Sequence, residues 1–315
     1  MEGKHMISVN RRAADIVEQM IHDKEELGIE VLSLGNGATV IDAGVKTAGG
    51  VRTGKLFSEV CLGGLGEVFL TTEKRFQVHV FVDHPAIACM GAQFAGWMIK
   101  VGDYFAMGSG PARARARQEK LFDEIGYGDD FEKAVIALET RKIPDEKVAD
   151  FIAGKCNLSP KDLYILVAPT ASLVGSIQIS ARVVETGVHK LHEVGFDISK
   201  ITSGSGSAPI ALVAKNDLEA MGKTNDCILY GGRTEYFVTA EDSEIETMIS
   251  DIPSSSSRDY GMPFLEVFER HNRDFYKVDP KLFSPAEVTI NNIRTGSVFH
   301  AGHVNEEVLM KSLGA

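Results

Sequence analysis

The segment ASLVGSIQISARVVETGVHKLHE, residues 171–193, decides how this chain is read. Its apolar residues Val174, Ile177, Ala181, Val184, Val188 and Leu191 recur at intervals of three and four. That spacing predicts one amphipathic helix with a single buried stripe. A second stripe lies one residue further on: Gln178, Arg182, Glu185, His189 and His192. One residue is a rotation of about 100° on a helix, so these polar groups sit at the edge of the buried face, where a helix wall can line a cleft. Arg182 and Glu185 are three apart and can converge. Two readings stay open for them. A guanidinium beside a carboxylate could hold and deprotonate a water, or the two could form an ordinary salt bridge contributing about 0.2–0.5 kcal/mol.

Upstream, Leu163 to Val167 is a continuous apolar run that reads as a buried strand and leads through Pro169 and Thr170 into this helix. A helix over 8–27 with Ser8 as its N-cap and Ala13, Ile16, Val17, Met20 and Ile21 facing inward opens the chain. Strands over 29–34 and 38–42 flank the turn Gly35-Asn36-Gly37. Val78 to Val82 is a strand. Residues 86–100 read as a buried helix containing Trp97, and 131–141 and 145–154 as two further helices. Ile210 to Ala214 reads as a strand, and 227–239 as a β-hairpin around Gly231-Gly232. Ser243 and Glu246 suggest a capping box. Residues 251–263, rich in Ser and Pro, suggest a mobile loop or lid. Val288 to Asn291 is a strand and Val304 to Leu313 a closing helix. Helices and strands mix throughout, predicting an α/β (mixed α+β) fold without regular Rossmann alternation. Two domains are expected, over 1–155 and 156–315.

With 315 residues the chain can bury a large core. Its net charge of −11, from 44 acidic and 33 basic residues, disfavours a nucleic-acid partner. A local basic pocket for a small anionic substrate remains compatible with it. Cys61, Cys89, Cys156 and Cys227 are too widely spaced for a zinc knuckle or a disulfide framework and read as buried free thiols in a reducing cytoplasm. No signal peptide and no membrane-spanning run are evident. Met6 reads as the natural start, with residues 1–5 an added leader.

Two Gly-Ser runs stand out, Gly108-Ser109-Gly110-Pro111 and Ser203-Gly204-Ser205-Gly206-Ser207. Neither has the spacing of a P-loop or of a dinucleotide fingerprint. They read either as tight turns or as backbone that approaches a ligand. Proline after Gly-Ser-Gly suits a helix start, which would offer free N–H groups to an anion and continue through Arg113, Arg115 and Arg117. His189, His192 and Glu193 resemble a metal-binding pattern but lack an evident third ligand.

Longer motifs carry a resemblance. Residues 104–113 (YFAMGSGPAR), 181–187 (ARVVETG), and 291–296 (NNIRTG) followed by Phe299-His300-Ala301-Gly302 are similar to segments of the archaeal methenyltetrahydromethanopterin cyclohydrolase family. Ser8-Val9-Asn10 and Val45 to Gly50 fit the same pattern, and the likeness runs from about residue 6 to the C-terminus. The alternating arginines at 113, 115 and 117 are a departure. The resemblance implies hydrolysis of the 5,10-methenyl cation of tetrahydromethanopterin to the N5-formyl derivative, in one-carbon metabolism. It also implies no metal or organic cofactor beyond the pterin carrier, a family-specific two-domain fold with a cleft between the domains, and a homotrimer. Glu185 would be the base that deprotonates water, with Arg182 holding the water or the carboxylate. Ser109, Gly110 and Arg113 would grip the carrier's anionic tail, and Ser205 and Gly206 would serve the pterin or tail from the opposite wall. A metal-dependent cyclohydrolase or amidohydrolase using His189 and His192, or a non-catalytic pterin-binding protein, are the alternatives.

Overall fold

The computed structural model describes residues 7–72 and 74–314; the expected leader and the start at Met6 lie outside the described residues. Twelve strands are described: β1 (Glu30–Ser33), β2 (Thr39–Asp42), β3 (Gly66–Thr71), β4 (Gln77–Asp83), β5 (Trp97–Val101), β6 (Tyr104–Ser109), β7 (Ala134–Glu139), β8 (Leu163–Ala168), β9 (Ile201–Pro209), β10 (Arg233–Val238), β11 (Glu287–Asn292) and β12 (Val298–Gly302). The chain forms two compact units, 1–66 with 87–169 and 67–86 with 170–315. Each is built on one six-stranded sheet with helices, a mixed α/β architecture. Among the described residues no helix is long and apolar enough to cross a membrane.

In the first unit the strand order is β1-β2-β8-β7-β6-β5. The central strands β2, β8 and β7 run parallel, β1 and β6 flank them antiparallel, and the edge strand β5 pairs antiparallel with β6. A strand buried on both faces needs a continuous apolar run, which β8 supplies as LYILVA. Helix Glu146–Lys155 turns Val148, Ala149, Ile152 and Ala153 into a core with Ile99, Ile136 and Ile165. Truncating Ile152 to Ala there costs about 2–5 kcal/mol. Helix Val9–His22 begins at Ser8, whose hydroxyl accepts from the Arg11 N–H. Asn10, fully buried, donates to Asp129 and to the Pro111 carbonyl (both 3.0 Å) and accepts from the Val135 N–H at 3.0 Å. The Ser8-Val9-Asn10 motif thus ties the N-terminal helix to three separate segments.

In the second unit the order is β12-β11-β10-β9-β4-β3, with β10 and β11 parallel and β9 antiparallel to both β4 and β10. Its inner face is apolar, with Val78, Val80, Tyr236, Val288 and Ile290 buried. The turn after β11 is fastened by Asp242, whose carboxylate accepts from Asn292, Thr295 and Ser297.

Several expected elements differ. Residues 86–100 are a wide π-type turn, Ala86–Gln93, followed by strand β5, because Trp97 and Ile99 alternate inward against Met98 and Lys100. Residues 134–139 are strand, the helix preference of Ala, Leu and Glu being overridden by burial between β6 and β8. The Ser203–Ser207 run is itself strand, and 210–214 is not. The expected hairpin at 227–239 is the end of helix Asp217–Leu229, capped by Asn216, followed by β10. Helix Asp242–Met248 starts two residues before the expected cap at Ser243 would place it, with Glu241 at its cap and no side-chain capping bond. The segment 251–263 is bonded in place: Ile252 and Ser254 are buried, the Ser254 hydroxyl donates to the Leu229 carbonyl, and Ser257 donates to Asp279 at 2.9 Å.

Candidate active site

The decisive segment forms two helices, Leu173–Ser180 and Val183–Glu193, and not one. Ser172 caps the first, accepting from the Gly175 N–H at 2.9 Å. That helix is buried on all sides, so its polar Gln178 lies in the interior (3% exposed). At the junction the Arg182 N–H bonds back to the Ile179 carbonyl at 3.0 Å, a tightened turn, and Arg182 becomes the cap residue of the second helix. Its carbonyl accepts from both the N–H and the hydroxyl of Thr186, at 2.8 and 2.9 Å. The half-buried Arg182 guanidinium donates through Nε and Nη2 to the Oε1 of Gln178, at 3.2 and 3.0 Å. Glu185 occupies the first turn of the second helix and is 6% exposed. The positive end of a helix dipole favours a carboxylate there, while burial penalises its charge.

The second helix lies directly on the sheet because glycines make room. A methyl group on Gly204 or Gly206 would stand 3.1 or 3.0 Å from the Val184 side chain. One on Gly187 would stand 2.0 Å from the Tyr236 hydroxyl. The second Gly-Ser run is therefore a packing surface: its glycines face the helix and its serines face away.

Those serines join the open face of the sheet. Cross-strand registers align Phe81, Ser205, Glu235 and Thr289 in one row, and His79, Ser207, Arg233 and Glu287 in the next. A shallow cavity of about 270 Å³ lies over these rows, with Ser205 and Gly206 in its lining. The sheet separates the Ser205 side chain from the helix that carries Glu185, so the structure does not bring those two together.

Ser109, Gly110 and Arg113 belong to the first unit. Ser109 donates to the Gln93 carbonyl at 2.7 Å, and Gly110, at φ +97°, donates its N–H to the Ala92 carbonyl at 2.8 Å. The following helix is one turn, Ala112–Ala116, ended by Arg117 in the left-handed region. At its start the Arg113 and Ala114 N–H groups bond to the Gly110 and Pro111 carbonyls, at 3.2 and 3.0 Å. The Arg113 side chain is 0% exposed: it pairs with Glu119, donates to the Met90 and Ala92 carbonyls, and lies against the rings of Phe94 and Phe122. An anion could reach it only by displacing Glu119. Arg115 donates to the Cys156 and Phe131 carbonyls, and Arg117 pairs with Asp130. The sequence reading missed Glu119, which is six residues from its partner and carries no local signal.

His189 approaches Glu193 to 3.8 Å, and burial holds its imidazole below the ordinary value. Among the described residues no group of three or more His, Cys, Asp and Glu side chains is arranged to hold a metal. The four cysteines are buried and none is in a disulfide.

Residues 8–313 match the family model described as cyclohydrolase (MCH). The chain is 51% identical over 319 aligned positions to methenyltetrahydromethanopterin cyclohydrolase of Methanocaldococcus jannaschii, covering 98% of this chain and 99% of that protein. It is 50% identical to the enzyme of that name from Methanothermobacter marburgensis, covering 98% and 100% of the two chains. It is 49% identical to that of Methanosarcina barkeri, covering 98% and 99%.

Proposed function

The chain belongs to the cyclohydrolase (MCH) family, and from that premise we propose that it catalyses the reversible hydrolysis of 5,10-methenyl-tetrahydromethanopterin to N5-formyl-tetrahydromethanopterin, with Glu185 as base and Arg182 as its partner. Family membership supports the reaction. The observation that supports the roles is local: a buried carboxylate and a tethered guanidinium flank the start of one helix.

The chemistry asks little of the protein. The methenyl carbon lies between two nitrogens that share a positive charge, so it is already electrophilic. Water must be aimed and deprotonated. Glu185 takes a proton as the water oxygen bonds to carbon, giving a neutral carbinol adduct. The bond from carbon to N10 then breaks as the carbinol hydroxyl loses its proton to solvent and becomes the formyl carbonyl. Glu185 returns its proton to N10, and one proton is released per turnover. General base catalysis of this kind contributes about 10²–10⁴-fold, and positioning supplies more. The reading calls for no metal and no cofactor besides the pterin carrier.

In this reading Ser109, Gly110 and Arg113 act as the brace of the turn at 90–93, and Ser205 and Gly206 as part of the sheet on which the Glu185 helix rests. A homotrimer in the cytoplasm belongs to the same proposal; family resemblance supports both, and four buried cysteines outside any disulfide suit a reducing compartment.

Following the methenyl absorbance with purified protein, with and without chelator, tests the reaction. Turnover that survives chelation is expected. Loss on chelation and return with added metal would favour a metal-dependent cyclohydrolase using His189 and His192. Ligand affinity without turnover would leave a pterin-binding protein.

A further inference from the structure

We propose that Gln178 is a positioning residue for this reaction, setting the plane of the Arg182 guanidinium from the preceding helix. The inference rests on the reading of Arg182 and Glu185 given above and goes one residue beyond it.

Two Arg182 N–H groups, at Nε and Nη2, bond to the single Oε1 of Gln178. Two donors of a rigid planar fork bonded to one acceptor fix rotation about the terminal bonds of the arginine, which a single bond would not. Three N–H groups of the guanidinium then point elsewhere, as a fixed set. Gln178 is itself suited to act as an anchor. It is 3% exposed, it sits inside an apolar helix capped by Ser172, and it lies one helical turn before Arg182. Arg182, in contrast, is half-buried and stands at a helix junction, where an untethered side chain has solvent-facing rotamers to sample. A long cationic side chain left free loses much of its value as an aimed donor, because orienting it during the reaction costs entropy. An amide in the protein interior is expensive unless it is bonded, so a glutamine in this helix calls for an explanation that a methionine would not. The two bonds that its Oε1 accepts from Arg182 are part of that explanation.

The test is Gln178→Met, which keeps the shape and removes the acceptor, compared with Arg182→Ala and with the double variant. Gln178→Met is expected to lower kcat by roughly 10–100-fold with KM changed less than about threefold, a loss of the size that misplacement of a catalytic group produces. The acid limb of the kcat profile should move to higher pH, because a guanidinium that wanders into solvent stabilises the Glu185 carboxylate less. In the Arg182→Ala background, Gln178→Met should have no further effect on residual kcat. A purely structural glutamine would reduce the folded fraction but leave kcat per folded molecule and the acid limb unchanged, and would add its loss to that of Arg182→Ala; either result overturns the inference. Should Gln178→Met fail to fold, Gln178→Glu keeps an acceptor of the same reach. Its second carboxylate beside Arg182 should raise the acid limb, and an unmoved limb would overturn the inference. If Arg182→Ala itself leaves kcat intact, the reading of the catalytic pair fails as well. If Arg182→Ala abolishes turnover while Gln178→Met changes neither kcat nor the acid limb, only the present inference fails.

Discussion

The Tyr236 hydroxyl donates a 2.9 Å hydrogen bond to the Val184 carbonyl, one residue before Glu185, and it does so through the gap left by the missing side chain of Gly187. The sheet therefore holds the helix of the candidate base at fixed height. Gly187→Ala would drive a methyl group into that hydroxyl and toward Pro285. Overpacking of this kind costs about 1–3 kcal/mol. We expect a lower melting temperature together with reduced kcat, since the helix must lift to accommodate the methyl. An unchanged melting temperature would show that the contact yields without cost.

Arg113 makes a different prediction. Its charge is enclosed and balanced by Glu119, which keeps some contact with solvent at 19% side-chain exposure. Removing one partner of a buried pair costs about 3–5 kcal/mol, with the lower end expected here. Arg113→Met should therefore destabilise the first unit in thermal or denaturant unfolding while leaving KM for the full-length carrier unchanged in the folded fraction. A raised KM with unaltered stability would return Arg113 to tail binding.

Asp226 predicts how stability varies with pH. Burial pushes its carboxyl from 3.8 up to about 7, against bonds from the Phe264 N–H and the Ser312 hydroxyl that favour the charged form. The native state thus holds a proton between about pH 4 and 7 that the unfolded chain has released. The stabilisation from this group is complete below pH 4 and is lost as pH rises through about 7. Asp226→Asn should flatten that slope and melt at higher temperature than the parent at pH 8. Parallel melting curves across pH 4–8 would contradict this.

Lys190 has the opposite sign. It is 2% exposed, donates to the Lys281 carbonyl at 2.7 Å, and is drawn down to about 8 by burial. The native state sheds this proton near pH 8 and the unfolded chain near 10.5, so the penalty for burying the ammonium is relieved as pH rises between them. Lys190→Met should lose that rise, measured as the difference in melting temperature between the two proteins from pH 7.5 to 10.

How much of this was legible in the sequence depended on whether the signal was local. The unbroken apolar run of β8, the Ser8 cap and the stripe of helix 146–155 each contain their own explanation. Gln178, Arg182 and Glu185 stood in one stripe of the sequence, and the bonds between Gln178 and Arg182 are what the structure adds to it. The Gly-Ser run of β9 was misread because its alternation is of absence: glycines at 204 and 206 mark the side on which a helix must approach, and only that helix reveals it. β7 was misread because Ala, Leu and Glu favour helix, and burial between neighbouring strands overrode them. The break after Ser180 left no mark in the apolar spacing, which runs across it unchanged. Glu119 could not have been found, since its role exists only where chain folding encloses Arg113.

The central claim is that Glu185 removes the proton from the attacking water. The most direct test is the single-turnover rate of methenyl-tetrahydromethanopterin loss for the parent and for Glu185→Gln, with substrate affinity measured on both. The account predicts a rate lower by about 10²–10⁴-fold at little-changed affinity, because the amide keeps the shape and loses the base. A variant that turns over at the parent rate would contradict it and move the base to another residue.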